Sequence, residues 1–234
     1  MFPNAPYLFM SLDYKIVVRH SKRKTASIYI ERDSSITVIV PLGTSDSEVQ
    51  NLLSKNEYKI HKYQAKRALL NEKAIKRELV NGQSFLYLGR NYYLQYSDEV
   101  DGIQFRGRHF YAPEGSEDKL RDMFKEFYRH RGKVFIEPRV QRFAQIMGIS
   151  VELVSIIDLK NRWASCSVKR PKVNFNWKIM MAPVSVINYL IVHELAHFKH
   201  KRHSKDFWNE VDKIITDYQK QVQWLKEYGA GLDV

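Results

Sequence analysis

The run Val192-His193-Glu194-Leu195-Ala196-His197 holds two imidazoles four residues apart, with a carboxylate beside the first. On a helix, His193 and His197 fall one turn apart on one face, about 40° offset, so both can approach a single cation. Glu194 falls about 100° round the same helix, where it can reach a water on that cation without binding the cation itself. Such a pattern suits hydrolysis by an activated water, and it needs a third protein ligand and an open position. Two residues qualify. His200 is seven residues beyond His193, about 10.5 Å along a straight helix, too far for a comfortable single site. His203 returns only if the chain turns after about Lys199. Ser204 is a good helix cap, which points to a helix end here and favours His203 over His200.

The elements that must position these residues are legible in outline. Pro183 suits a first helical position, and Ser185 to Val192 is apolar except for Asn188, as expected of a helix buried beneath a cleft. Upstream, alternation predicts strands over 14–19, 27–32 and 35–40, with Asp33-Ser34 turning between the last two. Ser45 with Glu48 forms a capping box, and a helix is expected from Asp46 to about Leu79. Two hairpins follow, 85–88 with 92–96 about Gly89-Arg90-Asn91, and 103–105 with 109–111 about Arg106-Gly107-Arg108. Pro113 to Ser116 reads as a linker. A long helix runs from about Glu117 to Met147 and closes at Gly148. Strands are expected over 151–159 and 173–177. Met1 to Met10 reads as a plain start with no basic n-region, and no internal repeat is evident.

Composition narrows the class. The 234 residues carry 38 Lys+Arg against 26 Asp+Glu, a net charge of +12. The balance is +6 over residues 1–80, −3 over 81–118 and +9 over 119–234. Such charge keeps a chain soluble and draws anions. Cys166 is the single cysteine, so an intrachain disulfide scaffold is excluded. The longest uncharged apolar run, Ile179 to Val192, falls short of the roughly 20 residues a spanning helix needs. The expected compartment is the cytoplasm.

The motif with His203 and then Phe207-Trp208 resembles the YgjP-like metal-dependent hydrolases, zincin relatives akin to SprT-like proteins. Further matching blocks are Arg162-Trp163-Ala164-Ser165-Cys166-Ser167 (with alanine at 164 where the family has glycine) and Asn174-Phe175-Asn176-Trp177. Arg23 to Ile28, Leu88-Gly89-Arg90 and Trp224 to Gly229 also fit. The resemblance implies an α+β fold with a zincin-like catalytic part. With the linker at 113–116, the chain is expected to divide into an N-terminal β-rich part with one long helix over 1–115 and a zincin-like metal-binding catalytic part, helical with a small sheet, over 116–234. The resemblance also implies His193, His197 and His203 as ligands and Glu194 as base. The family name is peptidase-like, yet a nucleoside-triphosphate pyrophosphatase activity on UTP has been ascribed to members.

The cofactor expected is one divalent ion, zinc by the donor set, though nickel or copper can occupy three imidazoles. The substrate expected is a peptide. The alternatives are an anionic nucleotide, drawn by the rim Lys199, Lys201 and Arg202, and a nucleic-acid-binding role with a residual metal site, for which the basic cluster Arg19 to Lys24 at a hairpin is the candidate. No membrane partner is expected. Arg162 is a candidate substrate-binding residue, able to hold a carboxylate or phosphate, or else to pair with Asp158 or Glu194. Asn176 is another, if its strand is the edge that receives extended substrate. Ser165 and Ser167 are candidate oxyanion donors. Cys166 reads as a buried small hydrophobe.

Overall fold

Alternating β-branched residues build the first sheet. The computed structural model describes residues 7–11, 14–31, 35–71, 77–159 and 162–234. Its chain divides into two units, 1–73 and 74–234. In the first, β1 (Tyr7–Ser11), β2 (Tyr14–Ser21), β3 (Ser27–Ile30) and β4 (Ile36–Pro41) lie in the order β1-β2-β4-β3. β2 and β4 are parallel, and the two outer pairings are antiparallel. The basic segment Arg19 to Lys24 is thus no hairpin, because β3 lies on the far side of β4. The supposedly plain start holds β1, which zips onto β2 from Tyr7 opposite Val18 to Ser11 opposite Tyr14. Ile16, Val18, Ile36, Val38 and Val40 bury one face against Val49 and Ile60.

Those last two residues belong to α1 (Asp46–Lys55) and α2 (Glu57–Asn71). The Ser45–Glu48 capping box opens α1 as expected. The single helix expected over 46–79 is broken at Asn56. Its side-chain amide donates to the Leu52 carbonyl at 2.9 Å, taking the acceptor that its own backbone N–H would use in a continuous helix. Residues 77–80 are not helical, and the Asp33-Ser34 turn lies outside the described residues.

The second unit opens with the same plan. β5 (Ser84–Tyr87), β6 (Arg90–Tyr96), β7 (Gln104–Arg106) and β8 (His109–Ala112) lie in the order β5-β6-β8-β7, again two hairpins joined through a parallel inner pair. The repeat is one of strand direction and not of residues, so the sequence does not display it. α3 (Glu117–Met147) packs on this sheet, with Phe124 stacked on Phe85 at 4.9 Å and edge-on to Phe110 at 5.5 Å between ring centres. The expected boundary between 115 and 116 therefore falls inside a single core.

β9 (Leu153–Ile157), β10 (Ala164–Ser167) and β11 (Lys172–Asn176) follow as a small sheet in the order β10-β11-β9. β11, read from sequence as a candidate edge, is the central strand. β10, not read as a strand at all, is an edge. A 3₁₀ turn (Trp177–Met181) leads into α4 (Val184–Lys199), then α5 (Lys205–Asp212) and α6 (Tyr218–Tyr228). The assembly is α+β, as expected. No described helix is long and apolar enough to cross a membrane.

The β5–β6 turn braces the start of α4. Leu88 and Gly89 donate their N–H groups to the carbonyls of Met180 and Met181 at 2.8 and 3.1 Å. Gly89 sits at φ +79°, and a Cβ there would lie 2.8 Å from the Pro183 Cα, so only glycine allows the approach. Pro183 caps α4 one position earlier than expected. Ile187, Ile191, Val192, Leu195 and Ala196 are fully buried and hold the helix in the core.

Candidate metal centre

α4 carries His193 and His197 on one half-exposed face, and ends at Lys199 with His200 as its cap. The chain then turns, Ser204 caps α5 by accepting from the Phe207 N–H, and His203 comes back over the first two histidines. One ring nitrogen from each of His193, His197 and His203 lies within 4.8 Å of the others. The Nε2 atoms of His193 and His203 are 3.1 Å apart. Two nitrogens on a tetrahedral zinc are separated by about 3.3 Å, so the spacing fits one ion. The Phe207 ring, fully buried, forms the floor beneath all three imidazoles at 4.6–5.0 Å between centres.

His200 enters the centre by its backbone. The Nδ1–H of His197 donates to the His200 carbonyl at 3.0 Å, because a carbonyl can only accept. That bond leaves the Nε2 of His197 with the free lone pair a cation needs. The Nδ1 of His193 lies 3.2 Å from the Tyr189 hydroxyl. Burial, with the neighbouring His197 and His203, pushes the His193 pKa down to about 3, and burial also lowers that of His197. Three imidazoles converging on one point, with the second nitrogens of His193 and His197 engaged, suit a divalent ion of the zinc type.

Glu194 points off the ligand face and is 7% exposed. Burial raises its carboxyl to about 7, against the opposing pull of the Cys166 thiol, which donates to it, and of the Arg162 charge. From sequence, Cys166 reads as a buried small hydrophobe. It is half-buried on β10, and burial together with the Glu194 carboxylate pushes its thiol up to about 12. Arg162 is exposed just before β10. Asp158, one of its expected partners, pairs instead with Lys125 at 2.9 Å.

Asn176 is used differently from the expectation. At 1% exposed, it donates its amide to the carbonyls of Leu159 and Arg162 at 2.6 and 3.4 Å, and accepts from the Lys178 N–H at 3.1 Å. It clasps the loop before β10 and caps the 3₁₀ turn. Ser165 accepts a bond from the Asn174 amide at 3.2 Å and Ser167 one from the Arg170 N–H at 3.4 Å, bonds that orient both hydroxyls without using their hydrogens. In the basic rim, Lys199 is bound to Glu210, leaving Lys201 and Arg202 exposed. Tyr189 and Cys166 are the neighbours of the centre that sequence reasoning missed. Tyr189 lies four residues before His193, a helical spacing that could have found it.

Among solved structures, the chain is similar to the metallopeptidase zymogen abylysin of Pyrococcus abyssi. The identity is 24%, over 41% of this chain and 96% of that one, with a TM-score of 0.38. It is also similar to the metallopeptidase zymogen jannalysin of Methanocaldococcus jannaschii, at 26% identity over 39% of this chain and 91% of that one, with a TM-score of 0.35. No curated protein matches. A family model described as the YgjP-like, metallopeptidase domain matches residues 24–228, and the chain belongs to the YgjP-like family.

Proposed function

We propose that the protein is a zinc-dependent peptidase in which His193, His197 and His203 hold the ion and Glu194 is the general base. The observation that carries this reading is the convergence of three imidazole nitrogens within 4.8 Å beside a buried carboxylate on the helix that carries two of them. The ion, when bound, lowers the pKa of water and polarises a substrate carbonyl. Glu194 takes the proton of the attacking water and returns it to the leaving amine. Its raised pKa, about 7, matches both directions of transfer near neutral pH. The Cys166 thiol and the Arg162 charge oppose that rise and keep part of the carboxylate ionised. β10 runs beside Glu194 through Cys166, and its edge away from β11 is the place for an extended peptide to pair by its backbone.

A peptide is favoured over a nucleotide because the rim that would attract a triphosphate is reduced by the Lys199–Glu210 pair. The test is Glu194→Gln in the zinc-loaded protein, assayed on an unstructured protein substrate. Cleavage is expected to fall roughly 10²–10⁴-fold with zinc content unchanged. Full cleavage by the variant, or UTP hydrolysis by the wild type without any peptide cleavage, overturns the reading.

A further inference from the structure

Tyr189 is 5% exposed, yet its hydroxyl faces a candidate ligand and not the core. It precedes His193 by one turn of α4, and the two rings meet edge-on at 5.6 Å between centres. The tyrosine ring is packed between helices. It lies parallel to Tyr218 of α6 at 6.4 Å and 12°. Tyr218 in turn stacks on Trp208 of α5 at 4.9 Å and 12°, and Trp208 lies over the His203 ring at 5.6 Å and 25°. The stack thus runs from the neighbour of the first imidazole to the third imidazole, through three helices.

We infer that Tyr189 is a positioning residue for the metal centre: its hydroxyl oxygen accepts the Nδ1–H of His193 and so commits the Nε2 of that ring to the ion. The inference rests on the reading of the three histidines as metal ligands. His197 provides the precedent within the same helix, since the His200 carbonyl commits its Nε2 in the same way. Without the Tyr189 oxygen, the His193 ring is free to carry its proton on either nitrogen, and one of the two forms cannot bind through Nε2. The hydroxyl contributes no atom to the ion. Its effect is on affinity and on which nitrogen bears the proton, whereas a residue that merely fills the core would affect stability alone.

The experiment is a zinc titration of the full chain against a competing chelator, for wild type and Tyr189→Phe. The variant keeps the ring and the stack. Its zinc Kd is expected to rise 10–100-fold, the usual scale for removing a partner of a ligating histidine, while the melting temperature of the zinc-free protein stays unchanged. A rise of threefold or less, or a loss of zinc-free stability that accounts for the whole effect, overturns the inference. A second measurement needs no variant. In the zinc-loaded wild type, ¹⁵N-edited spectra should show His193 with a slowly exchanging Nδ1 proton and a coordinated Nε2. Coordination through Nδ1, or a rapidly exchanging proton, also overturns it. A wild type that holds no zinc refutes the functional reading itself, which is a different result from a wild type and a variant that bind alike.

Discussion

His200 and His203 differ in what they offer the centre, a backbone oxygen in one case and a ring nitrogen in the other. His203→Ala should therefore lose zinc on dialysis against a weak chelator. His200→Ala keeps its carbonyl and should retain about one ion per chain. Metal analysis that finds the reverse overturns the ligand assignment. Cys166 gives a second test at this scale. With its thiol pushed up to about 12, it should react with iodoacetamide at pH 8 roughly 10²–10³-fold more slowly than an ordinary cysteine, and at the ordinary rate once unfolded. Rapid labelling of the native chain would mean that the thiol is not held against Glu194. The His193–His197 spacing was legible because helical periodicity is local. The Cys166–Glu194 contact was not, because it joins a strand to a helix 28 residues further on, and only the sheet order brings them together.

At the scale of elements, the turn between α4 and α5 delivers His203, and Glu210 of α5 ties it down by bonding to Lys199 at the end of α4, while Lys213 at the end of α5 also pairs with Glu210. The Lys199 ammonium, and then Lys213, lowers the Glu210 carboxyl below its ordinary range. A carboxylate depressed in the folded state stabilises above its unfolded pKa, and that stabilisation is lost as pH falls through the folded pKa. Glu210→Gln should therefore lower stability at pH 7 by about 0.5 kcal/mol, allowing for solvent screening, and by nothing measurable well below pH 4 or in 1 M salt. Denaturant titrations at both pH values check this, and an equal loss at each would leave the ion pair without a role. The β5–β6 turn is the stiffer device. Gly89→Ala adds a methyl against the Pro183 backbone at positive φ and should cost about 2–3 kcal/mol by urea unfolding. The sequence marked Gly89 as a hairpin turn. It could not show that the turn braces the start of α4, since Pro183 is 94 residues away. The break at Asn56 was hidden for a related reason: a lone asparagine in a lysine-rich helical pattern interrupts it only when its side chain captures a carbonyl of the preceding turn.

The whole molecule divides where the sequence did not. Composition put a linker at Pro113 to Ser116, because proline, glycine and serine cluster there, yet the chain on both sides belongs to one core. Phe85, Tyr87, Leu94 and Phe110 come from the β5–β8 sheet and are at most 4% exposed, and the first and last of them pack on Phe124 of α3. The Tyr128 hydroxyl donates to the Leu86 carbonyl at 2.7 Å, and the β5–β6 turn braces α4. Further upstream, Arg77 donates to the carbonyls of Gly231 and Asp233 at 2.9 and 3.1 Å, holding the segment whose Leu232 and Val234 are buried. We therefore expect residues 74–234 to be the smallest unit that folds with its metal centre intact. Each fully buried apolar side chain is worth about 1.5–3 kcal/mol, so stripping four of them removes about 6–12 kcal/mol, as much as the whole net stability of an ordinary domain. A chain of residues 74–234 should melt in one cooperative transition and bind one zinc ion. A chain of residues 116–234 should show no cooperative transition, bind a hydrophobic dye and hold zinc weakly if at all. Calorimetry and metal analysis on the two chains decide the matter. A cooperative, zinc-binding 116–234 would restore the boundary at 115 and make the β5–β8 sheet an accessory to the catalytic part.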